Sequence, residues 1–492
     1  MTLDEIRAIG KVADGEFENI VLLKYQEQIE NFLSSSEFGS WANKPYVPLL
    51  NPKTFDYENT EPLEAWVLNM PLPKYYDFVA FGSHNVGFHG AITAFLGLCD
   101  MHFVGPMRKF VFGDDDNENE DNNSSLKQYL STYISLIAME QTKQMGYVKH
   151  CYLLLTNLKL DLDTQKFYSL IDARKALHVV RDPIEALRGL VTTQSSVDKL
   201  TLENKDSIGF GLFFFHNPHL MLKNYHTHYR SGLINGKEQN TFLAQPTLDS
   251  IEAWLKDCAQ SFHDGILFNL LSGSLQDICL KETKDFFPDK VMDTLNEMGQ
   301  KFGFEVPKDD EWLFKVSGRG LKNLLPLTIY VNDKFELYNT NKNKFLPTKE
   351  DAENSMKLLL VSALDSINKI YPERDITEFF ELEDPLFRVF ATANDDKEKL
   401  LSNKSLLNKT QFYIKELVKA VLEHIDDVNA TRKQITEKDV LEYFKTHKEQ
   451  RELMKTIMAQ HLMILKQIAP NIINSWKYYN EFETLCKELD GE

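Results

Sequence analysis

Residues 75–96, YYDFVAFGSHNVGFHGAITAFL, constrain the fold of this chain more than any other stretch, because an apolar strand runs into a tight glycine turn that opens a helix. Phe78, Val79, Ala80 and Phe81 read as a buried strand, Gly82 and Gly87 bracket the turn, and Ala91 to Leu98 supply helical periodicity. Such a layout points backbone amides and a helix N-terminus at one spot, which favours an anion.

The turn has G-x-x-x-x-G spacing, with Ser83, His84, Asn85 and Val86 between the glycines. In a nucleoside-triphosphate loop the second glycine is followed by a lysine for the terminal phosphates and a hydroxyl for magnesium. Phe88 and His89 stand there instead. The backbone part of a phosphate cradle survives, and the side chains for magnesium-dependent hydrolysis of ATP or GTP do not. The candidate phosphate-holding residues are therefore Gly82, Ser83, His84, Asn85, Val86, Gly87 and Phe88. The plain alternative is a tight βα turn.

A second stretch, ALHVVRDPIEALRGLV at residues 176–191, carries a strand through Leu177, Val179 and Val180 that ends on Arg181. Asp182 then caps a helix whose first position is Pro183, where a missing N–H costs nothing. Arg181 thus projects from the C-terminal end of a strand, where α/β sheets bind ligands, and its guanidinium fork suits a phosphate. Arg188 is a candidate second cation on the same helix. An ion pair with Asp182 or contact with a helix terminus is the structural alternative for Arg181.

Together the two stretches resemble the sulfotransferase family, whose donor, 3′-phosphoadenosine 5′-phosphosulfate, is held by a strand-loop-helix and a later R-x-P-type segment. The resemblance covers roughly residues 75–215. Gly82 and Gly87 match the family's first loop, while Asn85 stands where a basic residue belongs and Phe88 and His89 replace two threonines. Gly189 takes the place of a serine eight positions after the arginine, and Thr156 is followed by Asn157 where the family has a catalytic histidine. The resemblance implies a P-loop-like parallel sheet flanked by helices, with Arg181 and Gly189 joining the 82–88 turn around the donor. The whole chain also resembles a bacterial family of unknown function, some of whose members are described as sugar transferases. Arg181–Ile184 and the ending SWKYYNEFETLCKEL at residues 475–489 carry that likeness. It implies a transferase working on cell-surface glycans or their precursors.

Histidines that could deprotonate an acceptor hydroxyl are His84 and His89 beside the turn and His216 in FFFHNPHLMLKNYHTHYR, which also holds His219, His226 and His228. Helix-start packing or polar loop positions are their structural alternatives. No HExxH spacing is present, so no metal site is expected. Asp264 and Lys237 are weaker candidates.

A formal net charge of −18 argues against a nucleic-acid partner, which needs a basic face, but leaves room for a small nucleotide donor held by local arginines. The run DDDNENEDNNSS at 114–125 reads as a solvated loop rather than a calcium clamp, because it lacks a central glycine. No apolar run is long enough to span a bilayer, and MTLDEIRAIGKVADGEFE has neither the basic nor the apolar region of a signal peptide, so the protein is expected in the cytoplasm. Five scattered cysteines without C-x-x-C read as buried thiols.

The expected fold is α/β. Residues 1–74 form an N-terminal helical cap and Pro-rich connector, 75–345 the α/β core, and 346–492 a helical C-terminal subdomain. In the core, strands near 148–155 and Val179 alternate with helices near 126–142 and 164–173, which argues for a parallel sheet. GFGLFFFH reads as a further strand, 246–262 as a helix, and LTIYV with KFELY as a hairpin, while FHDGILFNLL is open between helix and strand. From about residue 349 the pattern reads as helical. Three functions fit: a sulfotransferase-like transferase with a nucleotide-type donor and a glycan acceptor, a nucleotide-sugar glycosyltransferase, and a non-catalytic binding protein. No tightly bound cofactor is expected.

Overall fold

The computed structural model describes residues 1–83, 85–105, 125–155, 164–197, 211–213, 217–223, 226–230, 242–258, 264–271, 273–308, 313–314, 324–333, 349–364 and 371–491. Its strands, in chain order, are β1 (Val79–Gly82), β2 (Met101–Val104), β3 (His150–Leu155), β4 (Lys175–Val180), β5 (Gln194–Val197), β6 (Gly211–Phe213), β7 (His226–Arg230), β8 (Phe242–Leu243), β9 (Asp277–Glu282), β10 (Leu327–Val331), β11 (Met356–Ser362) and β12 (Phe387–Ala391).

The central sheet has the order β2-β3-β1-β4-β9, and every pair in it is parallel. Helices cover both faces, which explains why its strands are apolar without alternation. On one face Phe78, Ala80, Tyr152, Leu154, Leu177 and Val179 pack with Phe95 and Leu96 of the helix Thr93–Leu98 and with Leu295 and Met298 of the helix Val291–Phe302. On the other, Val79, Phe81, Leu153 and Leu155 meet Tyr129 and Tyr133 of the helix Ser125–Gln144, Phe167 of Thr164–Ser169, and Leu267 of Asp264–Leu271. Each buried Val, Leu, Phe or Met among them contributes about 1.5–3 kcal/mol by leaving water.

The N-terminal segment shares this second core through Ile6, Val21, Leu22 and Ile29. Leu72 N–H donates to Leu170 O at 2.8 Å, and the Tyr129 hydroxyl to Met70 O at 2.8 Å, so the proline-rich connector is bonded to the sheet's own helices.

A second sheet, β12-β11-β10-β6, packs its Leu327, Ile329, Leu358 and Leu360 into the first core. It corrects the expectation of helix from about residue 349. After a short helix, Lys349–Glu353, the runs KLLLVS and FRVFA form β11 and β12, because they are too short and too evenly apolar for an amphipathic helix. β10 pairs antiparallel with β11 and parallel with β6, so this sheet crosses residue 345. The KFELY half of the expected hairpin lies outside the described residues. FHDGILFNLL resolves as the helix Asp264–Leu271.

Continuous helix begins at Asn394 and includes Lys404–Thr431, Glu437–Thr446, Lys448–His461 and Lys477–Asp490. Val440, Phe444, Met454, Tyr479 and Phe482 from these helices form a third core with Val180, Ile184 and Leu187. Among the described residues no helix is long and apolar enough to cross a membrane.

Gly82 is fixed by this packing: a Cβ there would lie 2.4 Å from Val179 O and 2.9 Å from Val86 Cγ2. Backbone on a paired strand cannot retreat, so Gly82→Ala is expected to cost about 1–3 kcal/mol in denaturant unfolding. Gly39→Ala, with open space around its Cβ, should stay within about 0.5 kcal/mol of wild type.

Candidate functional site

The chain leaves β1 for β2 on one side of the sheet and β4 for β9 on the other. The C-terminal ends of the adjacent strands β1 and β4 therefore form a topological switch point, the place where open α/β sheets bind ligands. The glycine turn follows β1, and Arg181 follows β4, so the two stretches singled out in the sequence meet at this point.

The Arg181 guanidinium donates through Nη1 to Asn85 O at 3.1 Å and through Nε to Glu185 Oε2 at 3.4 Å. Its side chain is 16 % exposed. Burial pulls its pKa below the ordinary arginine value, with Glu185 opposing, and the group stays charged. Asn85 takes the left-handed conformation, φ +66°, and its Nδ2 donates to Ala186 O at 2.8 Å. Gly189 makes room for that amide, since a Cβ there would sit 1.8 Å from Asn85 Nδ2. Asn85 and Gly189 thus interlock. Thr283, just after β9, donates from Oγ1 to Val86 O at 2.8 Å and lies 3.3 Å from Val180 O.

Gly87, at φ +101°, closes the turn and caps a wide π turn, Phe88–Ile92, that leads into the helix Thr93–Leu98. Val86 and Phe88 bury their side chains in the core, so they offer a ligand only their backbones. In a trans peptide the C=O and N–H point in opposite directions. With the carbonyls of Asn85 and Val86 held by Arg181 and Thr283, the N–H of Val86 faces away from Arg181 and the N–H of Gly87 away from Thr283. The Val86 amide and Arg181 are therefore suited to two separate anionic groups rather than one shared group.

Asp182 does more than cap its own helix. Oδ1 accepts from Ile184 N at 2.9 Å, while Oδ2 accepts from Tyr478 N at 3.0 Å and Tyr479 N at 3.1 Å, the first turn of the C-terminal helix Lys477–Asp490. The residue is buried, at 4 % exposure. Desolvation pushes its pKa up to about 6, against the pull of the backbone N–H groups. Arg188 does not join Arg181 as a free second cation: Nε donates to Glu437 Oε1 at 2.9 Å, tying it to the helix Glu437–Thr446.

Of the histidines, His84 and His216 lie outside the described residues, and His89 belongs to the π turn. His219 is engaged by the helix Lys404–Thr431, with Nδ1 at 2.9 Å from Glu423 and Nε2 at 3.5 Å from Glu416. His226 and His228 fall on β7, and Asp264 opens a helix. Thr156, Asn157, Lys237 and most of the acidic run are outside the described residues. Cys99, Cys151, Cys279 and Cys486 are buried, and burial pushes Cys151 up to about 11. No metal-ligating group of three is found among the described residues.

A family model described as a protein of unknown function (DUF2972) matches residues 282–489, less than half of the chain. No curated protein and no solved structure matches. The matched stretch starts beside Thr283 and contains the 475–489 ending, whereas Arg181 and the glycine turn lie outside it.

Asp182→Ala leaves two helix N-termini without their acceptor and is expected to cost about 2–4 kcal/mol in denaturant unfolding, at roughly 1–2 per cap. Because the folded-state pKa of Asp182 is raised to about 6, the pH-linked part of its contribution to stability is complete below the unfolded value and lost as pH rises through 6, while the capping bonds persist. Wild type should therefore gain stability relative to Asp182→Asn as pH falls from 7 toward 4. Parallel pH slopes for the two proteins would contradict this assignment.

Proposed function

We propose that the chain is a transferase of sulfotransferase-like type that moves a group from a nucleotide-type donor to a hydroxyl of a glycan or related acceptor in the cytoplasm. The observation that carries this is the meeting of Arg181 with the Gly82–Gly87 turn at the β1/β4 switch point, at 3.1 Å between Nη1 and Asn85 O. In this reading the amides of Val86 and Gly87 take one phosphate of a 3′-phosphoadenosine 5′-phosphosulfate-type donor, and Arg181 takes another. Oriented amides and a buried guanidinium stabilise the charge that gathers on the departing bisphosphate as the bond to the transferred group breaks. His84, His89 or His216 accepts the acceptor's hydroxyl proton. Bacterial surface-polysaccharide modification is a use consistent with this chemistry, and a nucleotide sugar is the alternative donor.

A second reading, binding without turnover, is favoured by the Asn85–Gly189 interlock. It fills, with a neutral amide, the place where sulfotransferases carry a basic residue and a serine.

The test is thermal-shift titration of the full chain with adenosine 3′,5′-bisphosphate beside a panel of nucleotide sugars, repeated on Arg181→Ala and Arg181→Lys. Stabilisation by the bisphosphate is expected, about 2.7 kcal/mol at a hundredfold excess over Kd, lost in Arg181→Ala. Selective stabilisation by a nucleotide sugar would move the assignment to glycosyl transfer. Silence across the panel would remove the donor site altogether.

A further inference from the structure

We propose that the first turn of the C-terminal helix, Trp476–Tyr479, is a positioning part of the same site, which fixes the glycine turn from behind. Five contacts place it there, in two adjacent residue pairs that each divide between the turn and the helix. At the end of β4, Arg181 holds Asn85 O while its neighbour Asp182 holds the N–H groups of Tyr478 and Tyr479. At the end of β9, Thr283 holds Val86 O while its neighbour Glu282 accepts from Trp476 Nε1 at 3.0 Å. The two strand ends are in register, Val180 opposite Glu282, so the helix grips both at one level. Trp476 and Tyr479 are 3 % and 1 % exposed and cannot shift without opening the third core.

The consequence follows from peptide geometry. The N–H groups of Val86 and Gly87 keep their directions, opposite the held carbonyls, only while Arg181 and Thr283 hold those carbonyls, and the backbones that carry Arg181 and Thr283 are pinned by the helix. The role assigned to these amides rests on the donor-site reading above, but the mechanical link does not need a ligand.

Three variants test it: Trp476→Phe, which keeps a smaller aromatic ring and loses the N–H to Glu282, Thr283→Val, which is isosteric, and Thr283→Ser, which restores the hydroxyl. Amide hydrogen exchange is measured on the full, ligand-free chain. Trp476→Phe and Thr283→Val are both expected to raise exchange at residues 85–88, with Thr283→Ser returning to wild type. In titrations with adenosine 3′,5′-bisphosphate the first two should lose affinity by about twofold to thirtyfold, the range for residues that act through others. Faster exchange confined to 476–490 in Trp476→Phe, with 85–88 at the wild-type rate, would overturn the proposal. So would wild-type affinity in both Trp476→Phe and Thr283→Val. If the wild-type chain binds no bisphosphate, the donor reading falls, and the exchange measurement still decides the positioning role.

Discussion

The carboxylate of Asp182 is the contact on which the rest of the site depends. It is taken almost wholly out of water, a costly move for a charged group, and three backbone N–H groups from two helices offset that cost. Two of those donors lie nearly three hundred positions further along the chain, so the acid joins the end of β4 to the helix Lys477–Asp490. An N-cap needs only one or two acceptor bonds. The spare oxygen is what allows one residue to begin two helices.

Around that junction the glycine turn is held by side chains that each satisfy a backbone group. Arg181 and Thr283 take carbonyls of the turn, and Asn85 returns a bond to Ala186 O. Close approach makes this possible. Gly82 lets β4's backbone lie against the turn, and Gly189 admits the Asn85 amide against its helix. Phosphate chemistry and tight packing would both select glycine at these positions, and at Gly82 and Gly189 the contacts alone account for it.

Strands β1, β3 and β4 of the central sheet and the Asp182–Pro183 helix start were legible because local patterns determine them, short apolar runs between helices and a cap followed by proline, whereas β2 and β9 at the sheet's edges were not read. The strands β11 and β12 were not, since short apolar runs within a region rich in helices carry no period of their own, and their pairing with β10 decides their state. Within the site, the convergence of Arg181 on the turn followed from fold logic. Thr283 had no sequence signal, because a lone threonine after a strand acquires its role only when three strand ends come together. The second task of Asp182 was hidden in the same way, although both of its partners lie in the 475–489 segment that already stood out.

Charge sets the character of the site more than its magnitude. Arg181 lies 3.4 Å from Glu185, and Arg188 lies 2.9 Å from Glu437, so two cations are matched by two acids within one corner of the fold. On a chain of net charge −18, little positive field is left to draw an anion in from solution. Under the proposed reading an anion gains instead from the amides of Val86 and Gly87 and from the buried Arg181 guanidinium, in a setting of low dielectric where each bond counts for more than in water. A site of that kind discriminates by shape and bond direction rather than by charge. Its quality then depends on how rigidly the turn is held, which is why the distant helix that fixes β4 and β9 belongs to the same physical unit as the glycines it never touches.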